Sequence, residues 1–362
     1  MFFEKELNTL HKANLYRNIE QFSDVKDFSS NDYLALASRK KSLKKAYKLV
    51  KKYKTFAPKA SLLVNGYHPI HKKFEKKIAK VNGFESALVV GSGFLANIAL
   101  IEALVRRGDE LFIDKEYHAS GVLASKLIKN VTWFEHNCAK DLEKKINLSK
   151  AKRKIIAIEG VYSMSGDLAN KEIFKIANRF NALLIVDEAH SSGTIGKNLL
   201  GIFDYYNLKI KPNYIKMGTL GKAYGSYGAY ILSSKEIKEF LINRAKPIIY
   251  STAPSVFDAA LAYINLKYIQ KNGKILRNKL KKRNRLLKKY LGFEPNSQIV
   301  PIKQKSNKEA KLKQKELLEL GFLVGAIRQP TVQKPILRII IRLGESKKTL
   351  KRLLKLLGSK ND

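Results

Sequence analysis

The stretch that decides the fold is Ala182-Leu183-Leu184-Ile185-Val186-Asp187-Glu188-Ala189-His190. Five apolar residues run without interruption and then give way to two carboxylates and an imidazole. An unbroken apolar run of this length is typical of a strand buried on both faces, as in a parallel sheet. A carboxylate at the end of such a strand is costly unless a positive group meets it. Asp187 is therefore either a helix cap or a fixed anion that holds a protonated heterocycle, and the second interpretation would place His190 in the same cleft.

Further apolar runs of the same kind lie on both sides of this stretch. They are residues 86–90, 111–114, 154–158, 214–217 and 228–232. Helical segments such as Leu95–Val105 separate them. This alternation predicts an α/β fold, with a mainly parallel sheet between helices.

The pattern divides the chain into three parts. Residues 1–45 form a mixed N-terminal segment, with a possible helix over 4–18 and a short strand running into a turn over 27–34. Residues 46–255 form the large α/β domain. Residues 256–362 begin with a long Lys-rich helix and continue with strands and helices, which predicts a smaller α+β C-terminal domain.

Composition excludes several classes of protein. The chain has 362 residues and one cysteine, Cys138, which rules out an internal disulfide framework and a zinc site built from cysteines. No apolar run reaches about 18 residues and the start does not resemble a signal peptide, so we expect a cytoplasmic protein with no membrane span. The net charge of +39 suggests nucleic acid, but only 14 of the 70 basic residues are arginine. Lysine scattered on helix faces is more typical of a solvated surface, so nucleic acid is disfavoured.

Three other strand ends carry residues that could bind a ligand. The turn Gly91-Ser92-Gly93 opens a helix, which is a weak signal for a phosphate cradle and matches neither GxGxxG nor GxxxxGK[ST]. Lys222 lies between glycines and between two apolar runs, where a desolvated amine can form a Schiff base. His118 follows another strand and alone is more often structural. Together with Asp187 these are the parts that pyridoxal 5′-phosphate needs.

With these residues in place, the sequence resembles the α-oxoamine synthases of the fold-type I superfamily of transferases that depend on pyridoxal 5′-phosphate. The resemblance covers nearly the whole chain and is most specific around Glu159 and Lys222. Its landmarks are residues 29–34, 65–67, 91–94, 118–120, 159–167, 187–190, 218–222, 250–252 and 326–331.

The resemblance implies four catalytic residues. Lys222 would form a Schiff base with the cofactor and later move protons at the substrate Cα. Asp187 would pair with the pyridinium nitrogen, His118 would stack on the ring, and His190 would contact its phenolic oxygen. The other implied cofactor contacts are Gly93, Phe94 and Thr219 at the phosphate, Thr252 at a phosphate across a dimer interface, and Glu159 and Ser163 in the pocket.

The resemblance also implies substrate contacts and a homodimer with shared active sites, and no metal. Arg328 is the candidate for the amino-acid carboxylate, because a guanidinium fork fits that group. Asn31 and Arg17 are further candidates, although Arg17 could equally be a solvated helix arginine. Two departures stand out: residues 57–62 lack the glycines usual in the family, and of the Arg-x-Arg pattern near the C-terminus only Arg338 remains.

Within the family, residues 326–331 together with Ala189-His190 favour members that condense L-alanine with a pimeloyl thioester in biotin biosynthesis. The implied products are 8-amino-7-oxononanoate, carbon dioxide and free thiol, with pimeloyl delivered by coenzyme A or by acyl carrier protein. Two alternatives stay open. One is a sister synthase, such as a glycine C-acetyltransferase that uses glycine and acetyl-CoA. The other is a basic nucleic-acid-binding protein on an inactive fold of the same kind.

Overall fold

A computed structural model describes residues 2–358; Met1 and residues 359–362, at the ends of the predicted N-terminal segment and small domain, lie outside the described residues. The strands are β1 (Lys26–Asp27), β2 (Ser86–Val90), β3 (Glu110–Asp114), β4 (Val131–Phe134), β5 (Lys154–Glu159), β6 (Leu183–Asp187), β7 (Tyr214–Thr219), β8 (Ala229–Ser233), β9 (Ile299–Lys303), β10 (Phe322–Leu323), β11 (Gly325–Ile327) and β12 (Ile336–Ile340).

The helices alternate with the strands through the first two thirds of the chain. They are α1 (Glu4–Lys12), α2 (Lys40–Val50), α3 (Pro69–Asn82), α4 (Gly93–Leu104), α5 (Ala119–Ser125), α6 (Ala139–Leu148), α7 (Lys171–Arg179), α8 (Ile202–Tyr205), α9 (Lys235–Arg244), α10 (Lys246–Ile249), α11 (Val256–Leu291), α12 (Asn307–Glu319) and α13 (Lys347–Gly358). A short π-helical turn, Leu62–Gly66, precedes α3.

The larger of two compact units comprises residues 32–163 and 167–278 and is built on a seven-stranded sheet. The strand order is β2-β8-β7-β6-β5-β3-β4, and within this sheet only β8 runs opposite to its neighbours. The remaining pairs are parallel. The predicted mainly parallel sheet between helices is confirmed.

The burial of the strands explains why their sequences are unbroken apolar runs. Every residue of β2 and β8 is buried, and all but the first residue of β5 and β6 are buried. Helix α4 packs against this layer with Leu100 and Ile101 fully buried, beside Ile155, Ile185 and Ile215 of the strands. Neither face of such a strand contacts solvent, so its residues are apolar throughout and the usual alternation of apolar and polar residues is absent.

The reversed strand β8 determines where Lys222 lies. Because β8 is antiparallel to β7, the chain turns back directly after Thr219, and residues 220–228 form the connection beyond the carboxyl end of β7. The carboxyl ends of β5 and β6, at Glu159 and Asp187, lie at the same edge because these strands are parallel to β7. Ligands of open α/β sheets bind at this edge.

Within the described residues, the smaller unit comprises residues 2–31, 164–166 and 279–358. It contains an antiparallel sheet of order β11-β12-β9 and a parallel pair of β1 with β10. Phe28, Phe322, Val324, Leu337 and Leu353 form part of its core, each at most 1 % exposed. The three-part division of the sequence stays a prediction.

Some local predictions were wrong in extent. Helix α1 ends at Lys12 rather than near residue 18, because Asn14 takes a left-handed conformation with φ 56°. Strand β1 stops at Asp27, whose side chain accepts hydrogen bonds from the backbone N–H groups of Ser29 and Ser30 and so turns the chain. Strand β4 was missed because, as a partly exposed edge strand, it has no unbroken apolar run.

Candidate active site at the carboxyl edge of the sheet

Lys222 meets an imidazole in the connection that follows β7. Its Nζ lies 2.6 Å from Nε2 of His190, and Nδ1 of the same ring lies 2.6 Å from the hydroxyl of Tyr33. His190 is 5 % exposed and Tyr33 is fully buried. The amine is therefore held by a ring that is itself anchored, which restricts the rotamers of the long lysine side chain.

Asp187 ends β6 with its carboxylate almost fully buried, at 3 % exposure. Oδ1 accepts a hydrogen bond from the backbone N–H of Ala189 at 2.9 Å. Oδ2 accepts one from Nδ2 of Asn97 at 2.8 Å. Two N–H donors therefore fix the orientation of a buried carboxylate at the end of this strand.

Glu159 is the register partner of Asp187 on the neighbouring strand β5. Its Oε2 accepts a hydrogen bond from the backbone N–H of Ser163 at 3.0 Å, while Oε1 is buried with no hydrogen-bond partner among the described residues. Burial raises the pKa of Glu159 well above its usual value, the charge of Asp187 raises it further, and Lys222 opposes both. An orphaned polar atom of this kind is expected where a ligand completes the site.

His118 lies within electrostatic reach of both Asp187 and Lys222. Burial lowers the pKa of His118, the carboxylate of Asp187 partly offsets this, and Lys222 lowers it further. The ring is therefore neutral at pH 7, as suits a flat group that stacks on another ring. Four side chains from four separate segments thus meet at one edge of the sheet.

The predicted phosphate cradle lies at the start of α4. Ser92 caps the helix by accepting from the N–H of Leu95 at 3.2 Å, and the helix itself leaves the earlier N–H groups of Gly93 and Phe94 unused. Thr219 is adjacent, since a Cβ added to Gly93 would lie 3.7 Å from its Cβ. These donors and the positive end of the helix dipole suit an anion.

Thr252 is solvent-exposed in the larger unit. It forms an isolated β-bridge with Ser61, next to the segment that lacks the expected glycines. Its role across a dimer interface stays a prediction.

The three substrate-side candidates belong to the smaller unit. Asn31 accepts hydrogen bonds from both terminal nitrogens of Arg338, each at 3.2 Å. Arg328 donates to the backbone carbonyl of Asn14. Burial lowers the pKa of Arg328, and the charge of Arg17 lowers it further.

Sequence analysis assigned no role to Asn97, Tyr117 or Ser120. Asn97 donates to Asp187 and also to the hydroxyl of Ser120 at 2.8 Å, and it accepts from the hydroxyl of Tyr117 at 2.9 Å. Ser120 lies inside the landmark 118–120, Tyr117 directly precedes it, and Asn97 lies four residues after Gly93. Nothing local in the sequence shows that these residues contact Asp187 or one another.

The residues present fit pyridoxal 5′-phosphate. The amine of Lys222 suits the aldehyde of that cofactor, and the buried carboxylate of Asp187 suits its ring nitrogen. The imidazole of His118 suits the ring face, and the N-terminus of α4 suits the phosphate. Within residues 2–358 no group of His, Cys, Asp and Glu is arranged to hold a metal ion. In the same range no helix combines the length and apolarity needed to cross a membrane.

The sequence matches the aminotransferase class I and II family over residues 23–357. It is 46 % identical over 355 residues to an 8-amino-7-oxononanoate synthase of Helicobacter pylori, covering 97 % of this chain and 95 % of that protein. An 8-amino-7-oxononanoate synthase of Geobacter sulfurreducens is 36 % identical, with 90 % of this chain and 89 % of that protein covered.

Solved structures agree with the fold. A serine palmitoyltransferase of S. paucimobilis, solved with a bound PLP-myriocin aldimine, superposes with a TM-score of 0.89 at 23 % identity and covers 99 % of this chain and 97 % of that one. The 8-amino-7-oxononanoate synthase of Francisella tularensis superposes with a TM-score of 0.76 at 28 % identity, covering 93 % and 97 %. The chain belongs to the aminotransferase class I and II family. Within that family it is an α-oxoamine synthase.

Proposed function

We propose that this chain catalyses the condensation of L-alanine with a pimeloyl thioester in the biosynthesis of biotin, with pyridoxal 5′-phosphate as cofactor. The Cα proton of alanine is removed first. A bond then forms between Cα and the thioester carbonyl carbon while the C–S bond breaks, and the sulfur leaves as the thiol with a proton in place of the one lost from Cα. The alanine carboxylate then leaves as carbon dioxide and a proton takes its place, which gives 8-amino-7-oxononanoate. The similarity to curated synthases over nearly the whole chain carries this proposal.

The residues of the larger unit would hold the cofactor. When bound, pyridoxal phosphate supplies an electron sink that stabilises negative charge at the substrate Cα. Lys222 would hold the aldehyde through Nζ and move the Cα proton, with His190 keeping that nitrogen in place at 2.6 Å. Asp187, held by Asn97 and the backbone of Ala189, would keep a proton on the ring nitrogen.

Other residues would bind and enclose the cofactor. The N–H groups of Gly93 and Phe94, together with Thr219, would bind its phosphate at the start of α4. His118 would cover one ring face, and Glu159 and Ser163 would line the pocket. We propose a homodimer in which exposed Thr252 contacts the phosphate of the other subunit's site.

The smaller unit would supply the groups for substrate carboxylates. The positive charge of Arg17 disfavours the charged form of Arg328, and an anion bound to Arg328 would offset that repulsion. Asn31 is oriented by two hydrogen bonds from Arg338. We propose that the reaction takes place in the cytoplasm and that coenzyme A or acyl carrier protein delivers the pimeloyl group.

Purified protein with pyridoxal phosphate should release thiol and form 8-amino-7-oxononanoate, detected by mass spectrometry, from L-alanine and a pimeloyl thioester. The Lys222→Ala variant should lose the visible absorption of the bound cofactor and at least about 10³-fold of the activity, because it lacks the amine that holds the cofactor and moves the proton.

Lys238→Ala on α9 is a suitable control for the loss of one lysine, since its Nζ pairs with Glu75 at 3.3 Å and belongs to no part of the proposed site. Product formed from glycine and acetyl-CoA but not from L-alanine and the pimeloyl thioester would overturn the proposal in favour of a sister synthase.

A further inference from the structure

Asp187 and His118 are joined by a continuous series of hydrogen bonds through Asn97 and Ser120, and Tyr117 bonds to Asn97 from outside this series. From this geometry we infer that Asn97 is a positioning residue that orients Asp187 and, through Ser120, fixes His118 in the neutral form that carries its proton on Nε2. The inference rests on the proposed function for its catalytic meaning, but the tautomer itself follows from the donors and acceptors alone.

The orientation of the Asn97 amide is set by Tyr117. The tyrosine hydroxyl lies 2.9 Å from Oδ1 of Asn97 and donates its proton there. Burial raises the pKa of Tyr117 well above its usual value, with further contributions from Asp187 and Glu159, so the hydroxyl keeps that proton. With Oδ1 accepting from Tyr117, the two N–H bonds of Nδ2 point to Oδ2 of Asp187 and to Oγ of Ser120, each at 2.8 Å.

Oγ of Ser120 accepts from Asn97 and lies 2.7 Å from Nδ1 of His118, with its proton and a second lone pair still available. The backbone N–H of Ser120 decides between donating and accepting. It points at Nδ1 at 3.3 Å and can only donate, so Nδ1 is an acceptor and the hydroxyl donates to it as well. Two donors at Nδ1 exclude a proton there, which leaves Nε2 as the protonated nitrogen of a neutral ring.

Two further observations agree with this assignment. Asn97 is 1 % exposed and Ser120 is fully buried, so water does not compete for these hydrogen bonds. Gly121 leaves room for the tyrosine, since a Cβ at this position would lie 2.1 Å from Cε1 of Tyr117. The glycine after the His-Ala-Ser motif is therefore required by the ring that orients Asn97.

The consequence is a fixed distribution of charge around the cofactor site. The carboxylate of Asp187 accepts an N–H from Asn97, while His118 is kept neutral and presents Nε2–H as a donor. A neutral ring does not compete with the pyridinium for the negative charge of Asp187.

The tautomer can be measured by nitrogen NMR of the holoenzyme and of the cofactor-free protein, each labelled with ¹⁵N-histidine. His118→Asn identifies the signals. From about pH 6 to 8 we expect an unprotonated Nδ1 and a protonated Nε2 in both samples. Ser120→Ala should shift the Nδ1 signal and populate both tautomers. Ser125→Ala, which removes a buried hydroxyl from the same helix α5, should leave it unchanged.

The role of Asn97 is tested with Asn97→Ala and Tyr117→Phe. Both should lower kcat, by about 10² for Asn97→Ala, with little change in KM for L-alanine, because the orientation of Asp187 and not substrate binding is lost. They should also move the pH at which the absorption of the bound cofactor changes. Tyr214→Phe, which removes a hydroxyl bonded to Asn178, should alter none of these.

These experiments distinguish a failure of the inference about Asn97 and His118 from a failure of the proposed function. A proton on Nδ1 of His118 would overturn the inference even in a protein that makes 8-amino-7-oxononanoate. An unprotonated Nδ1 would sustain the tautomer even if the product proved to be different. An unchanged cofactor spectrum in Asn97→Ala would overturn the positioning role.

Discussion

Two carboxyl groups are register partners on neighbouring strands, and their surroundings differ. Glu159 has one hydrogen bond, to Ser163, and an orphaned oxygen, while Asp187 receives two N–H donors. Burial and the charge of Asp187 raise the pKa of Glu159, which favours its neutral form. Different surroundings of this kind suit two carboxyl groups to different roles in one site.

His136 is a second residue whose surroundings fix its charge. Nδ1 contacts Asp114 at 3.0 Å, and Nε2 contacts Asp167 at 3.1 Å and Glu116 at 3.6 Å. Burial alone would lower the pKa of His136, but the hydrogen bonds to Asp114 and Asp167, with the charges of Asp114 and Glu116, raise it to about 10. The protonated ring joins the end of β3 to the loop that contains Asp167.

We expect His136→Asn to lose stability in a way that depends on pH. A histidine whose pKa rises on folding stabilises the folded state. This stabilisation is fully present below the unfolded pKa near 6.5 and is lost as the pH rises towards the folded pKa of about 10. The difference in Tm between the native protein and His136→Asn should therefore be largest at pH 6 or below and shrink between about pH 7 and 10. A difference independent of pH would mean that only the packing of the ring on Tyr162 matters.

At the scale of elements, a buried ion pair connects β7 to the segment after β6. Nζ of Lys216 lies 3.6 Å from Oε1 of Glu188, and both side chains are at most 1 % exposed. Lys216 also donates to the side chain of Asn82 and to the carbonyl of Leu200, while Glu188 accepts from the N–H of Ile202 at 2.8 Å. The pair thus holds the residue that follows Asp187.

Lys216→Met should lower the free energy of unfolding by about 3–5 kcal/mol, because it leaves the carboxylate of Glu188 buried and unpaired. Urea unfolding at pH 7 measures this loss. The double variant Lys216→Met with Glu188→Gln removes both charges and should recover most of it, since two apolar or neutral groups avoid the desolvation of an isolated ion. Equal losses in the single and double variants would show that the hydrogen bonds, and not the charges, are responsible.

At the scale of the whole molecule, the charge of +39 has two interpretations. The first is nucleic-acid binding, which nothing in the described part of the structure supports. The candidate cofactor site at the sheet edge and the enzyme family both favour a catalytic role instead. The positive field remains physically relevant, because both coenzyme A and acyl carrier protein are polyanions. Long-range attraction of this kind speeds encounter and is screened by salt.

We expect kcat/KM for pimeloyl-CoA to fall about 10-fold between low and high salt while kcat changes little, because steering affects encounter and not chemistry. Steady-state kinetics from about 20 to 500 mM NaCl would test this. A pimeloyl thioester of pantetheine, which lacks the phosphates, provides the control and should show no such fall. Equal salt dependence for both donors would mean that the charge does not steer the acyl donor.

Much of the fold could be predicted because its information is local. An unbroken apolar run such as Leu183–Val186 is stable in a strand whose two faces are both covered. The polar residue that ends each run then lies at the edge of the sheet. Lys222, Asp187, His118 and Glu159 were predicted as site residues in this way and through family resemblance. Strand β4 was missed because three of its four residues are only partly buried and give no unbroken apolar run, whereas the other edge strand, β2, is buried throughout.

The sequence by itself determined the class of the fold, the family, and which residues stand at strand ends. Only the tertiary structure decided that β8 turns back and brings Lys222 to the edge where Asp187 lies, and that Asn97 links Asp187 to His118. These contacts join residues far apart in the chain, and no short-range pattern of polarity encodes which partner a buried polar group finds. The satisfaction of buried donors and acceptors, which is settled only when the whole sheet and its helices have packed, selects those partners.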